Sequence, residues 1–201
     1  MKSLALCLAL CAAAPEPQAE NADGWVSMFD GKTLDGWKIN ERPDAWKVED
    51  GAIVVNGNVS HLFHEKELTD FAFECEVKTT PGSNSGIFIC TKYQDSGWPA
   101  QGYEVQVNVS HGDPVKSGSL YNTVKIFDPP VKDNEWYKQS VVKKGNKVTV
   151  SINDKVLYEF DEPPGVSIPR KLGKGVIALQ AHDPGSKVYF RNLKYKDLSG
   201  E

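Results

Sequence analysis

The sequence predicts an all-β domain, an antiparallel sandwich or barrel, on three observations. Apolar and polar residues alternate with period two over several short segments. Turn-forming pairs separate those segments, and prolines are scattered between them. No stretch sustains a helical period over three turns.

Taken in order, Trp46-Lys47-Val48-Glu49 and Ala52-Ile53-Val54-Val55 flank Asp50-Gly51, a strong two-residue hairpin signal. Phe71-Ala72-Phe73-Glu74-Cys75-Glu76-Val77 alternates strictly and reads as a strand buried on one side. Residues 147–152 and 156–160 flank Asn153-Asp154, a second hairpin, with Gly145-Asn146 turning the chain just before it. Residues 175–181 and 187–195 form two last strands around Asp183-Pro184-Gly185. Residues 91–102 and 109–119 break the rhythm, and long loops in a sandwich are where binding groups gather. No linker or repeat divides the chain, so residues 24–198 are expected to form one domain.

The N-terminus reads differently. Lys2 precedes an apolar run from Leu4 to Ala14, and Ala19 offers a small residue for cleavage, so residues 1–19 are expected to be a signal peptide. An exported protein, periplasmic or secreted, follows. A lipoprotein reading would use Cys11, although Leu10 is larger than the small residue usual before a lipidated cysteine. The apolar run is too short to span a bilayer. Removal of residues 1–19 takes Cys7 and Cys11 and leaves Cys75 and Cys90. Alternation puts Cys75 with Phe73 and Val77 on a core face and Cys90 opposite Ile87 and Ile89, so two free thiols are expected. The net charge of −4, with no basic run, argues against a nucleic-acid partner.

The most informative strand is Tyr103-Glu104-Val105-Gln106-Val107-Asn108. With Val105 and Val107 in the core, Glu104, Gln106 and Asn108 project together from the other face. A carboxylate beside two amides suits hydroxyl groups, which require both donors and acceptors. The following loop carries His111, Asp113 and Lys116 and leads to Tyr121, a full set of proton-transfer groups. On a later strand Gln180 and His182 share a face with Ala178, while Ile177, Leu179 and Ala181 take the other. Tyr93, Trp98, Tyr103 and Tyr121 offer flat faces for a sugar ring, and Trp25, Trp37, Trp46 and Trp136 are assigned to packing. A small carbohydrate is therefore the expected ligand.

Several enzyme classes drop out. The sequence has no Gly-x-Ser-x-Gly elbow, no His-Glu-x-x-His helix and no phosphate loop. Glu74 and Glu76 share a strand face and invite a glycosidase reading, but Lys78 stands where a third acidic residue would complete the series.

Six motifs in order carry a family resemblance: the opening Gly24-Trp25-Val26-Ser27-Met28-Phe29-Asp30-Gly31-Lys32-Thr33-Leu34-Asp35-Gly36-Trp37, then Asn84-Ser85-Gly86-Ile87-Phe88, Gly102-Tyr103-Glu104-Val105-Gln106, Gly118-Ser119-Leu120-Tyr121, Asn134-Glu135-Trp136 and Phe190-Arg191-Asn192-Leu193. They resemble the 3-keto-disaccharide hydrolase domain family over nearly the whole mature chain. The resemblance implies a concanavalin A-like jelly-roll sandwich, bacterial export and hydrolysis of glycosidic bonds in sugars oxidised at C3. One departure is plain: many relatives place an arginine where Cys90 stands.

A 3-keto group acidifies the C2 hydrogen. A base can then remove that proton and expel the glycosidic oxygen from C1, after which water adds. In that chemistry His182 or His111 is the base, Lys116 and Gln106 lie near the enolate, and Tyr121 or Glu104 is the acid or a sugar ligand. Asn108, Gln180, Trp98 and Tyr103 complete the expected substrate contacts. No cofactor is expected, although Glu104, His111, Asp113 and His182 are a set able to hold a divalent ion. The rival reading is a non-catalytic carbohydrate-binding, lectin-like module on the same fold.

Overall fold

Asp50 and Gly51 both adopt positive φ, 50° and 74°, the backbone that a tight two-residue hairpin requires. They join β3 (Trp46–Glu49) to β4 (Ala52–Asn56). Asn153 and Asp154, at 49° and 64°, do the same between β10 (Lys147–Ile152) and β11 (Lys155–Asp161). The computed structural model describes residues 21, 23–167 and 170–200. Its remaining strands are β1 (Val26–Ser27), β2 (Trp37–Ile39), β5 (Ser60–His64), β6 (Phe71–Thr79), β7 (Asn84–Thr91), β8 (Tyr103–Asn108), β9 (Tyr137–Lys144), β12 (Val176–Ala181) and β13 (Lys187–Asp197). Among the described residues the one helical element is a single 3₁₀ turn, Pro43–Ala45. None is a helix long and apolar enough to cross a membrane.

The strands form two antiparallel sheets, as in a concanavalin A-like jelly roll. One runs β11-β10-β9-β6-β13-β4-β3, with β1 added beside β13; the other runs β2-β5-β12-β7-β8. Along β6 burial alternates strictly: Phe71, Phe73, Cys75 and Val77 are buried while Ala72, Glu74, Glu76 and Lys78 are half-exposed. The buried set packs across the sandwich with Ile87, Ile89, Val105, Val107, Ile177 and Leu179. Trp37 and Trp46 close this core with their indole N–H groups satisfied, on the Met28 carbonyl at 2.6 Å and on Ser60 Oγ at 2.9 Å. Trp25 and Trp136 instead lie half-buried outside it, under Lys194 and Arg191.

Strands β7, β8 and β12 of the second sheet are buried on both faces. Val105, Val107, Ile177 and Leu179 face the core as alternation predicts. The opposite face carries polar side chains, and the loops after β7 and β8 cover it.

Cys75 and Cys90 are both buried and free. The expectation that Cys90 turns away from the core is corrected: it packs with Ile87 and Ile89. The register shifts between β12 and β7, so that Ile89 and Cys90 together span the place opposite Ile177, and Cys90 has φ 55°. A bulge of this kind resets which face a side chain takes. The expected signal segment, residues 1–19, lies outside the described residues.

Candidate active site

A cavity of about 240 Å³ lies on the polar face of the five-stranded sheet. Its floor is set by strand alternation. Strand β8 supplies Glu104 and Gln106, β12 supplies Gln180 with His182 just past its end, and β7 supplies Asn84 and Phe88. Loops complete the walls with Trp98 and Pro99, with Asp113 and Tyr121, and with Arg170. The volume falls below the roughly 300–1,000 Å³ of pockets for drug-sized ligands and suits a single ring.

Glu104 is the deepest ionisable group. Its carboxylate occupies the space that a side chain at residue 86 would take: a Cβ built on Gly86 would lie 2.3 Å from Glu104 Oε1. Gly86 is opposite Gln106 in the ladder, so the missing side chain makes a notch in the sheet where the acid lies. Oε1 accepts a hydrogen bond from Gln180 Nε2 at 2.8 Å. Burial pushes the Glu104 carboxyl up to about 7, against the Gln180 hydrogen bond and the Arg170 charge, which both pull it down.

A chain of hydrogen bonds runs from Gln106 to His111. Gln106 Nε2 donates to Asn84 Oδ1 at 3.0 Å, and Asn84 Nδ2 lies 3.4 Å from His111 Nδ1. The Asp113 amide also donates to His111 Nδ1, at 3.0 Å, which assigns that nitrogen as an acceptor and places the ring proton on Nε2. His111 Nε2 faces Asp183 Oδ2 at 3.8 Å, and His182 Nδ1 lies 2.8 Å from the same oxygen. Asp183 thus orients His182 through Nδ1 and leaves Nε2 as the free ring nitrogen. Burial would raise the Asp183 carboxyl, but hydrogen bonds from Ser186, His182 and the Gly185 amide outweigh it and hold Asp183 below the ordinary carboxylate range.

The same geometry bears on a metal. His111, His182 and Asp183 bring ligand atoms within 4.8 Å of one another, whereas Glu104 and Asp113 do not join them. A metal there would take the His111 Nε2 lone pair, but the Asp113 amide on Nδ1 puts the proton on Nε2. As arranged, His111 would have to give up its Nε2 proton before it could bind a metal.

Residues 24–196 match the family described as the 3-keto-alpha-glucoside-1,2-lyase-like domain. The chain belongs to this family. It is 27% identical, over 89% of its own length and 80% of the relative's, to a 3-keto-disaccharide hydrolase of Bacteroides thetaiotaomicron. Among solved structures it is similar to a candidate glycosyl hydrolase of Parabacteroides distasonis, with TM-score 0.77 and 27% identity over 90% of this chain and 96% of that one. The carbohydrate-binding module CBM66 of Bacillus subtilis shares the fold, with TM-score 0.60 at 12% identity over 81% of this chain and 96% of that one.

Within this member of the 3-keto-alpha-glucoside-1,2-lyase-like family, the cavity brings together six residues expected from the sequence: Glu104, Gln106, Trp98, Tyr121, Gln180 and His182. His111 stands behind them, its ring centroid 5.4 Å from that of His182. Three expected residues are placed elsewhere. Lys116 Nζ donates to the carbonyls of His111 and Asp113 at 2.7 and 2.9 Å and to Asn108 Oδ1 at 3.4 Å, which ties the loop together and engages all three of its N–H groups. Asn108 Nδ2 donates to the Asp113 and Val115 carbonyls, so it too shapes the loop. Tyr103 lies on the core side with Val105, and its hydroxyl donates to Glu162 at 2.9 Å.

Sequence reasoning missed Asn84, Phe88, Asp183, Arg170 and His61. Asn84 and Phe88 had a signal, since they alternate with Ser85 and Ile87 on either side of Gly86. His61 is buried beside Gln180 in the ladder, edge-on to Phe88 and Trp98 at 5.4 and 5.6 Å. Neither ring nitrogen has a partner among the described residues, and burial pushes its pKa down to about 3, so the ring is neutral.

Proposed function

We propose that this chain is a carbohydrate hydrolase that cleaves 3-keto-glycosides by C2 proton removal, elimination at C1 and addition of water. The observation that carries this reading is the convergence of an oriented base and a near-neutral acid on one cavity. His182 is held at Nδ1 by Asp183, and Glu104 is pushed up to about 7. A general acid or base works best when its pKa lies near the operating pH.

The roles follow from position. His182 Nε2 takes the C2 proton; the C–H electron pair forms the C2–C3 double bond, and the ketone π pair moves onto the C3 oxygen. The enolate then re-forms the ketone as C1 and C2 become doubly bonded and the C1–oxygen bond breaks. The departing oxygen takes the proton of Glu104. Water afterwards adds hydroxyl to C1 and hydrogen to C2. Trp98, half-exposed with its ring 5.4 Å from that of His182, provides a flat wall for the sugar. Residues 1–19 are read as the export signal, so mature protein from the native host should begin near Glu20 by N-terminal sequencing.

Incubation with matched 3-keto and ordinary forms of one disaccharide tests the reading. Monosaccharide should be released from the keto form alone. Equal cleavage of both would point to a conventional glycosidase, and saturable binding without cleavage of either would make the chain a carbohydrate-binding module.

A further inference from the structure

The buried polar atoms of the cavity differ in what they have left to offer. Gln106 Oε1 and Gln180 Oε1 have no partner among the described residues, and an amide oxygen only accepts. The matching nitrogens are engaged, with Asn84 and with Glu104. Tyr121 donates its hydroxyl to Asp113 at 3.2 Å. Arg170 Nη1 is also buried without a partner among the described residues, and a guanidinium only donates. Among the described residues it is the one arginine or lysine in the cavity wall. Its charge is felt at both Glu104 and Tyr121, where it favours the ionised form.

This inventory sorts the substrate's oxygens. Sugar hydroxyls have hydrogens to give the two glutamine oxygens. A ketone oxygen has none, and it is the atom that becomes negative when C2 loses its proton. A buried cationic donor with no partner among the described residues gains most where charge develops in the transition state. We propose that Arg170 is a catalytic residue of this site, donating Nη1–H to the C3 ketone oxygen and stabilising the enolate formed there. The inference rests on the 3-keto reading above. It assigns the role of electrophile to a residue from the loop before β12, because the Lys116 ammonium is committed to loop carbonyls.

The test compares wild type, Arg170→Ala and Arg170→Lys on a 3-keto-disaccharide, following turnover and solvent-deuterium exchange at C2. Arg170→Ala should lower both by about 10²–10³, the loss seen on removing one donor from an oxyanion site. Added guanidinium ion should restore part of the rate, which a merely misfolded variant would not show. Arg170→Lys keeps the charge without the planar fork and should fall between the two. Wild-type C2 exchange in Arg170→Ala, or in a folded Arg170→Lys if the alanine variant fails to fold, would overturn the assignment and leave the 3-keto reading standing. Absence of turnover by the wild type on any 3-keto-glycoside would bring down that reading, and this inference with it.

Discussion

Glu76 and Glu104 lie on the outward faces of opposite sheets, each lining a cavity. The cavity beside Glu76 is the larger, about 410 Å³ against about 240 Å³. Every nearby charge there is matched. Arg191 donates from Nε and Nη2 to Glu76 Oε2 at 2.7 and 2.6 Å, Asn192 donates to Oε1 at 2.8 Å, and Lys194 pairs with Glu74 at 3.2 Å. Burial works to raise Glu76, but Asn192 and Arg191 outweigh it and hold the carboxyl below its ordinary range. Among the described residues Glu104 accepts only an amide hydrogen bond from Gln180, and it moves the other way, to about 7. Cavity size does not separate the two faces. What separates them is whether the polar atoms have been satisfied by the protein or left for a ligand.

Substitutions should break this symmetry decisively. His182→Ala should lower turnover of a 3-keto-glycoside by roughly 10²–10⁴ with the fold intact by circular dichroism. The double substitution Glu74→Gln, Glu76→Gln should leave turnover unchanged. An equal loss in both would refute the functional difference between the faces.

Glu104 adds a pH test. Its folded pKa lies above the unfolded value of 4.5, so the native state binds the extra proton between pH 4.5 and about 7. Stability relative to the unfolded chain therefore falls as pH rises through that window, by roughly 3 kcal/mol, and levels off above it. Denaturant titrations of Glu104→Gln should lose this slope and show higher stability than wild type above pH 7. Wild-type turnover should decline as pH rises past about 7, because the acid is then ionised.

Smaller effects sharpen the picture. Gly86→Ala places a methyl against the Glu104 carboxylate and should cost about 1–3 kcal/mol by thermal denaturation while reducing turnover. Glu76→Gln breaks a half-exposed ion pair, with side chains 31% and 38% exposed, and should cost no more than about 1 kcal/mol, less in high salt.

Much of the frame was legible because local chemistry dictates it. Asp50-Gly51 and Asn153-Asp154 accept positive φ, and period-two alternation fixed the faces of β6, β8 and β12. That same alternation placed Glu104, Gln106, Gln180 and His182 on the cavity side. It also put Tyr103 beside Val105 on the core face, where ring chemistry alone had suggested a sugar contact. Cys90 escaped because a bulge shifts the period by one residue, and no residue type announces it. Lys116 escaped because its partners are backbone carbonyls, which side-chain patterns do not display. Arg170 reaches the cavity from a loop more than sixty residues beyond Glu104 (66 by numbering), so only the folded chain brings them together.

The central claim is that the chemistry begins at C2, and the fate of the C2 hydrogen tests it most directly. A 3-keto-disaccharide should be incubated with the protein in deuterated water, beside a protein-free control, and the released 3-keto sugar examined by mass spectrometry and NMR. Elimination followed by hydration predicts one deuterium on C2 of every product molecule. Cleavage with the original C2 hydrogen retained would mean direct displacement at C1 and would contradict the account.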